Sequence, residues 1–339
     1  MKRRSLWFEG NSRVSIREDE QQLPASGEVL LTTIVSAVSA GTEMLFYRGD
    51  LEEGAQVDAF LEGYRRPLAY PLRYGYACVG SIAATGEGVD PKLKGRLAFA
   101  FAPHATSFCL PAEQAFLVPE GCPPEEAAFL ANTETAVNLV LDAAPLFGER
   151  ISVFGLGVIG LLTVGLLARF PLACLSAWDL LPLRREMAAS LGAHVGDPIA
   201  APPTPGTEDC AVEVSGSPQG FSTALSSCRF NGRLVVGSWY GASSRRGGVD
   251  GFDTVFHRNR VRIIPSQVST IDPALSGRWT RTRRLEAAWD AIRMLRPARL
   301  ITHRIPFCQA ADAYRLISDA HEQSVQVMLV HQDESGREP

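Results

Sequence analysis

Ser152-Val-Phe-Gly155-Leu-Gly157-Val-Ile-Gly160 sets three glycines in the spacing G-x-G-x-x-G, directly behind the apolar run Arg150–Phe154. The chain then stays uncharged as far as Ala168 and reads as a helix through about Arg169. In a strand–turn–helix setting each glycine has its own reason. Gly155 makes the tight turn, Gly157 lets the backbone approach a pyrophosphate, and Gly160 lets the helix pack on the strand. Leu156, Gly157, Val158, Ile159 and Gly160 then line a helix N-terminus that offers free N–H groups to phosphate oxygens. A second apolar run, Leu172–Trp178, ends in Asp179, about 20 residues on. An acid there accepts hydrogen bonds from ribose hydroxyls and repels a 2′-phosphate. The pattern predicts a dinucleotide fold and favours NAD. Arg184 and Arg185 sit close behind and would accommodate a phosphate, which keeps NADP open.

Strand and helix patterns go on alternating from there. A helix is expected over Leu183–Leu191, strands over Asp209–Val214, Arg233–Ser238 and Val261–Pro265, a helix over Gly220–Cys228, and a closing helix over Arg283–Leu295. Such alternation means a doubly wound parallel sheet covered by helices. Ser215-Gly216-Ser217 and Gly237-Ser238-Trp239-Tyr240 follow strand ends, where ligands lie in such sheets. Ser215, Gly216, Ser238 and Trp239 are therefore candidate cofactor contacts, and ordinary turns are the competing explanation. Trp239 and Tyr240 either flank a nicotinamide or fill core space.

Before Pro123 the texture is β. Ser5–Phe8 with Arg13–Ile16 reads as a hairpin, and Glu28–Val38, Tyr74–Ala84 and Arg96–Ala102 read as strands punctuated by Gly and Pro. Leu51–Pro71 has no period. Pro124-Glu-Glu-Ala opens a helix to about Asp142, with proline and acids in the first turn. His303–Phe307 reads as a return strand, Ala310–Ala320 as a helix, and the polar tail from Asp333 as frayed. The expected domains are 1–123 with 302–339, and 124–301.

The 339 residues are 46% hydrophobic and 21% charged, which excludes wholesale disorder. A net charge of −4 argues against a nucleic-acid partner. Seven widely spaced cysteines form no C-x-x-C pair, so reduced thiols in a cytoplasmic protein are expected. Charges follow the N-terminus too soon for the apolar core of a signal peptide. Ile151–Ala168 is uncharged enough for a bilayer, but its glycine pattern has the better explanation above, so no membrane partner is expected.

With these residues in place, the chain resembles the medium-chain dehydrogenase/reductase superfamily over nearly its whole length. Ser39-Ala40-Gly41-Thr42-Glu43 is similar to that family's Cys-Gly-Thr-Asp segment. Gly75-Tyr76-Ala77 lies where the family has Gly-His-Glu, and Leu130-Ala131-Asn132 where the polyol- and threonine-dehydrogenase branch has Glu-Pro. The Gly-Thr-Glu and Gly-Tyr pieces also resemble the bacteriochlorophyllide hydroxyethyl dehydrogenase branch. The resemblance implies a GroES-like β-barrel domain before the Rossmann domain, a nicotinamide-linked oxidoreductase acting on a small-molecule substrate, and a homodimer. It also exposes departures. The catalytic zinc positions read Ala40, Tyr76 and Ala131, and the four-cysteine structural lobe is reduced to Cys109, so no zinc of either kind is expected.

Without zinc, another acid must protonate a carbonyl oxygen. Thr42 aligns with the family's relay hydroxyl, while Leu45 replaces the relay histidine. Tyr76 places a phenol where a ligand sat. Glu43, Glu134 and His104 complete the catalytic candidates. Structural alternatives stand beside them: Tyr76 as packing, Glu43 paired with an arginine, His104 as a surface or capping residue, and Glu134 on a solvated helix face. The late arginines Arg258–Arg284 would clamp an anion or lie on a solvated helix. Pocket lining is expected from Leu45–Tyr64 and Ser266–Arg284. Three functions follow: a zinc-independent dehydrogenase of a secondary alcohol or ketone, an enoyl or quinone reductase, and a catalytically silent nucleotide binder.

Overall fold

The computed structural model describes residues 2–51, 54, 56–57, 64–240 and 255–331. Parts of the expected pocket lining and the tail from Asp333 lie outside them. The chain divides into two units, Met1–Ala131 with Arg296–Pro339, and Asn132–Leu295.

The first unit opens with an antiparallel hairpin, β1 (Lys2–Gly10) and β2 (Arg13–Glu20), longer than the pattern suggests. Cross-strand ion pairs Lys2–Glu18 and Arg3–Asp19 line the extension, so apolar alternation could not reveal it. β3 (Glu28–Val38) leads into the short helix α1 (Glu43–Arg48). β4 (Cys78–Thr85), β5 (Leu97–Ala100), β6 (Ser107–Pro111) and β7 (Phe116–Leu117) follow. The helix expected from Pro124 is in fact two, α2 (Pro124–Ala127) and α3 (Leu130–Ala143). Because α2 packs on β3 and β4, the boundary falls after Ala131 rather than at 123.

In the second unit β8 (Arg150–Phe154), α4 (Val158–Leu167), β9 (Cys174–Trp178), α5 (Pro182–Ser190) and the unexpected short β10 (His194–Gly196) come first. Then come β11 (Glu208–Glu213), α6 (Pro218–Ser227), β12 (Cys228–Val236), α7 (Val255–Arg258), β13 (Arg262–Pro265) and α8 (Arg281–Leu295). The sheet is parallel throughout, in the order β10-β9-β8-β11-β12-β13. That is the Rossmann order 3-2-1-4-5-6. Phe154 pairs with Trp178 and with Glu213, and Glu213 with Val236, so the strand ends that carry the candidate cofactor residues finish level.

The chain then returns to the first unit as β14 (Ile301–Pro306), α9 (Ala310–Asp319) and β15 (Gln326–Val330). These complete a mixed sheet, β14-β15-β3-β4-β5-β7, with β6 also on β3. Leu6, Phe8, Phe46, Tyr74 and Tyr314 lie in one of its cores. The fold is therefore an α/β Rossmann unit with a separate mixed-sheet unit. No helix of the described residues is long and apolar enough to cross a membrane, and Ile151–Ala168 is a strand, a turn and a helix.

Two expectations are corrected by one clamp. Arg284 on α8 is only 1% exposed. Its guanidinium donates to Glu134 Oε1 at 2.9 and 3.1 Å, to Asn138 Oδ1 at 2.7 Å, and to the carbonyls of Thr270 (3.1 Å) and Val268. Glu134 is thus not on a solvated helix face but half of a buried pair, and Arg284 is not a solvated helix arginine. Burial pushes the Glu134 carboxyl up from its ordinary pKa while Arg284 pulls it back. Arg284→Ala would strand a buried carboxylate and three polar partners. The expected loss is about 3–5 kcal/mol of unfolding free energy, read from denaturant titration; a loss below about 1 kcal/mol would contradict the clamp.

Candidate active site

At the strand ends of the second unit, Gly155 has φ +91° and donates its N–H to the Trp178 carbonyl at 2.9 Å. A Cβ at Gly160 would lie 1.9 Å from the Gly155 oxygen, which is how closely α4 meets the turn. At Gly157, the N-cap of α4, nothing lies within 4 Å of where a Cβ would be. The backbone is therefore open to an incoming group just where the first helical N–H groups of Val158, Ile159 and Gly160 have no intrahelical partner.

Asp179 uses both carboxylate oxygens on backbone: Leu156 N donates at 2.7 Å and Leu181 N at 2.9 Å. The acid thereby ties the glycine turn to the end of β9. The two arginines behind it differ. Arg185 is engaged by the Asp179 and Leu180 carbonyls at 2.7 and 2.8 Å and by Asp197 at 3.3 Å. Arg184 points its Nη1 at Asp179 from 3.9 Å, and burial lowers its pKa while Asp179 raises it.

Across the sheet, Glu213 is fully buried at the end of β11 and was missed from sequence. It accepts from Ser215 N (2.7 Å), Ser215 Oγ (2.5 Å) and the Tyr240 hydroxyl. Ser238 Oγ accepts from Gly216 N at 2.9 Å. Tyr240 thus braces the loop from within, its phenol pKa raised by burial and by Glu213, whereas Trp239 is exposed. An acid closing the apolar run Cys210-Ala-Val-Glu213 was the available signal.

The first unit gathers its polar groups around Glu43, the first residue of α1, with no solvent exposure. Glu43 Oε1 accepts from Ser39 N at 2.9 Å, closing the helix start like a capping acid. Glu43 Oε2 meets His104 Nε2 at 3.1 Å and accepts from the Tyr314 hydroxyl on α9. His104 Nδ1 contacts Ser36 Oγ at 2.8 Å, and Ser36 Oγ contacts His331 Nε2 at 3.0 Å. Gly75 holds the other side: with φ +131°, its missing Cβ would lie 2.7 Å from the His104 ring. Glu43 is therefore in a buried pair with His104, not with an arginine. His104 is neither a surface residue nor one that a substrate can touch.

The two histidines are shifted in opposite directions. Burial pulls His104 down, but the Glu43 carboxylate and the Cys78 thiol outweigh it and lift the pKa to about 10. Burial, with His104 and Arg4 adding to it, drives His331 down to about 3. Both shifts agree with His104 Nδ1 donating to Ser36 Oγ and Ser36 Oγ donating onward to His331 Nε2.

At the half-buried rim, the Tyr76 hydroxyl donates to Ser39 Oγ at 2.5 Å, and Thr42 N donates to the same oxygen at 3.3 Å. Tyr76, Thr42 and Ser39 thus share one hydroxyl, and Ala40 beside them is exposed. These residues do not fit the zinc that the resemblance implies. Two of the three positions carry methyl groups, and the phenol is already bonded to a serine. Among the described residues no group of three His, Cys, Asp or Glu is placed to hold a metal ion.

No protein-family model matches the chain. Sorbitol dehydrogenase of Bacillus subtilis is 26% identical over 206 residues, 49% of this chain and 58% of that protein. A zinc-type alcohol dehydrogenase-like protein of Escherichia coli is 24% identical over 93% of this chain and 95% of its own length. The crystal structure of an Escherichia coli alcohol dehydrogenase with NADH superposes with a TM-score of 0.77 at 18% identity, over 97% of this chain and 99% of the other. The fold is that of these dehydrogenases, and the sequence is similar to theirs.

The two histidines bound stability on opposite sides. His104 holds its proton to about pH 10 when folded and to about 6.5 when unfolded, so its contribution is complete below 6.5 and is lost as pH rises toward 10. Between about pH 3 and 6.5 only the unfolded chain protonates His331, so stability is lost as pH is lowered through that window. In thermal unfolding from pH 4 to 10, His331→Asn is expected to flatten the acid limb and His104→Gln the alkaline one. Unchanged slopes would contradict both assignments.

Proposed function

We propose that this chain is a nicotinamide-linked oxidoreductase that moves hydride between NAD(H) and a secondary alcohol or its ketone in a small or specialised metabolite, without zinc. The second unit would hold the dinucleotide, with the Gly157 opening taking the pyrophosphate and Asp179 the adenosine ribose. When bound, the nicotinamide supplies or accepts the hydride. The first unit would supply the acid.

The observation that carries the reading is the hydrogen bond from Tyr76 to Ser39 at 2.5 Å, at a position where zinc-dependent relatives of this fold are expected to keep a ligand. As a carbonyl carbon takes up hydride, negative charge builds on its oxygen and needs a proton or a strong donor. Tyr76 has the proton, and the Ser39 hydroxyl is in place to turn and bond the oxygen left behind. Thr42 would set the substrate-side edge of the same group. Engagement of Arg185 by protein oxygens supports NAD, because it removes one of the two arginines that would welcome a 2′-phosphate. The reading of an enone or quinone reductase calls for an NADPH preference, against which Asp179 stands.

Fluorescence titration is expected to show tighter binding of NADH than of NADPH, with Asp179→Gly narrowing or reversing the ratio; tighter NADPH binding would overturn the cofactor assignment. With a ketone from a substrate panel, Tyr76→Phe is expected to lower kcat by about 10²–10⁴-fold while NADH affinity stays within twofold. Full turnover by Tyr76→Phe would remove Tyr76 as the acid.

A further inference from the structure

Glu43 and His104 lie out of a substrate's reach, yet the chain spends two buried ionisable groups, a serine, a second histidine and a tyrosine on holding them together. Bare hydrophobic packing would be less demanding than a buried ion pair. Among the described residues the arrangement reaches the rim through Glu43 Oε1, which accepts from the backbone N–H of Ser39, whose hydroxyl in turn accepts from Tyr76.

We propose that Glu43 and His104 are positioning residues for Tyr76, a neutralised buried pair that fixes Ser39 as its hydrogen-bonding counterpart and lets the phenol release its proton. This rests on the reading of Tyr76 as the acid. A serine hydroxyl has one proton and two acceptor sites. In the resting arrangement Ser39 Oγ accepts from Tyr76 and from Thr42 N, which leaves its own proton uncommitted to either. During ketone reduction the C=O π pair moves onto oxygen as the carbon gains hydride. The phenolic O–H bond breaks, its proton passes to that oxygen, and Ser39 turns to donate to the phenolate. In alcohol oxidation each transfer runs backwards.

Charge explains the second member of the pair. The carboxylate alone would oppose a phenolate nearby, since like charges in a low-dielectric interior repel. In this proposal the imidazolium of His104 cancels it, and Ser36 Oγ, 2.8 Å from His104 Nδ1, takes its second N–H. The groups around the pair are Arg4 on β1, Cys78 on β4, Tyr314 on α9, His331 after β15, and Tyr64, whose hydroxyl is held by the Gly75 carbonyl. None of them replaces that cation: the tyrosines and the thiol carry no positive charge, His331 is neutral, and the charge of Arg4 is already present in the native balance.

The test titrates Tyr76 directly in the full chain labelled with ¹³Cζ-tyrosine, its signal assigned by its loss in Tyr76→Phe. His104→Gln keeps a hydrogen-bond donor but removes the charge. It is expected to raise the Tyr76 pKa by about one unit, the order of effect of one uncompensated charge in a protein interior. The pH profile of kcat/KM for alcohol oxidation should move by the same amount, with NADH affinity within twofold of the native value. An unmoved Tyr76 titration in the folded variant, or a kcat lowered equally at every pH, would overturn the proposal and leave a structural role. Should His104→Gln fail to fold, Ser36→Ala, which removes the acceptor of the His104 Nδ1 proton, is expected to shift Tyr76 in the same direction by less, and no shift would overturn it. The titration needs no turnover. If it moves while no alcohol or ketone reacts, the positioning role stands and the dehydrogenase reading fails; if turnover is normal and nothing moves, the reverse holds.

Discussion

Glu43 begins a helix of six residues and has no contact with water. A carboxylate so placed must be neutralised and fully hydrogen-bonded or the local fold fails. The chain meets that demand with Ser39 just before α1 and with groups from three distant segments: His104 after β5, Tyr314 on α9 and, through Ser36, His331 after β15. The same bonds that satisfy Glu43 tie the returning C-terminal segment to the first strands and hold Ser39 beneath Tyr76. The packing of the first unit therefore turns on one constraint.

The second unit depends on proximity of backbone. At Gly160 the helix comes so near the turn that any side chain would strike the Gly155 carbonyl, and at Gly157 the opposite holds, with open space above the helix start. Asp179 and Glu213 each spend carboxylate oxygens on backbone N–H groups beside these glycines, so the loops are shaped by protein–protein hydrogen bonds. Preformed loops of this kind lower the ordering cost of binding a charged ligand.

How much of this was legible follows from range. The glycine spacing, its flanking strand and helix, and Asp179 lie within 30 residues, and local pattern located each of them. Apolar, β-rich runs such as Glu28–Val38 and Arg150–Phe154 also emerged with their observed bounds. The break between α2 and α3 did not, because every residue there suits a helix and only packing on β3 and β4 decides it. Ser36, Tyr314 and His331 escaped notice for the same reason: Ser36 and His331 are 295 residues apart in sequence, and neither is unusual in its own neighbourhood. Glu134 and His104 were visible as candidates, but burial with Arg284 and Glu43 reassigns them, and burial of a single polar residue has no sequence signature.

Similarity to zinc-type alcohol dehydrogenases makes the absence of suitable donors at Ala40, Tyr76 and Ala131 the point on which the account turns. The most direct measurement is elemental analysis of the purified chain after chelator treatment, made on the same sample as a turnover assay with NADH and a ketone panel. Undiminished turnover is expected with zinc far below one atom per chain. Activity that disappears with the metal and returns in proportion to zinc added back would contradict it.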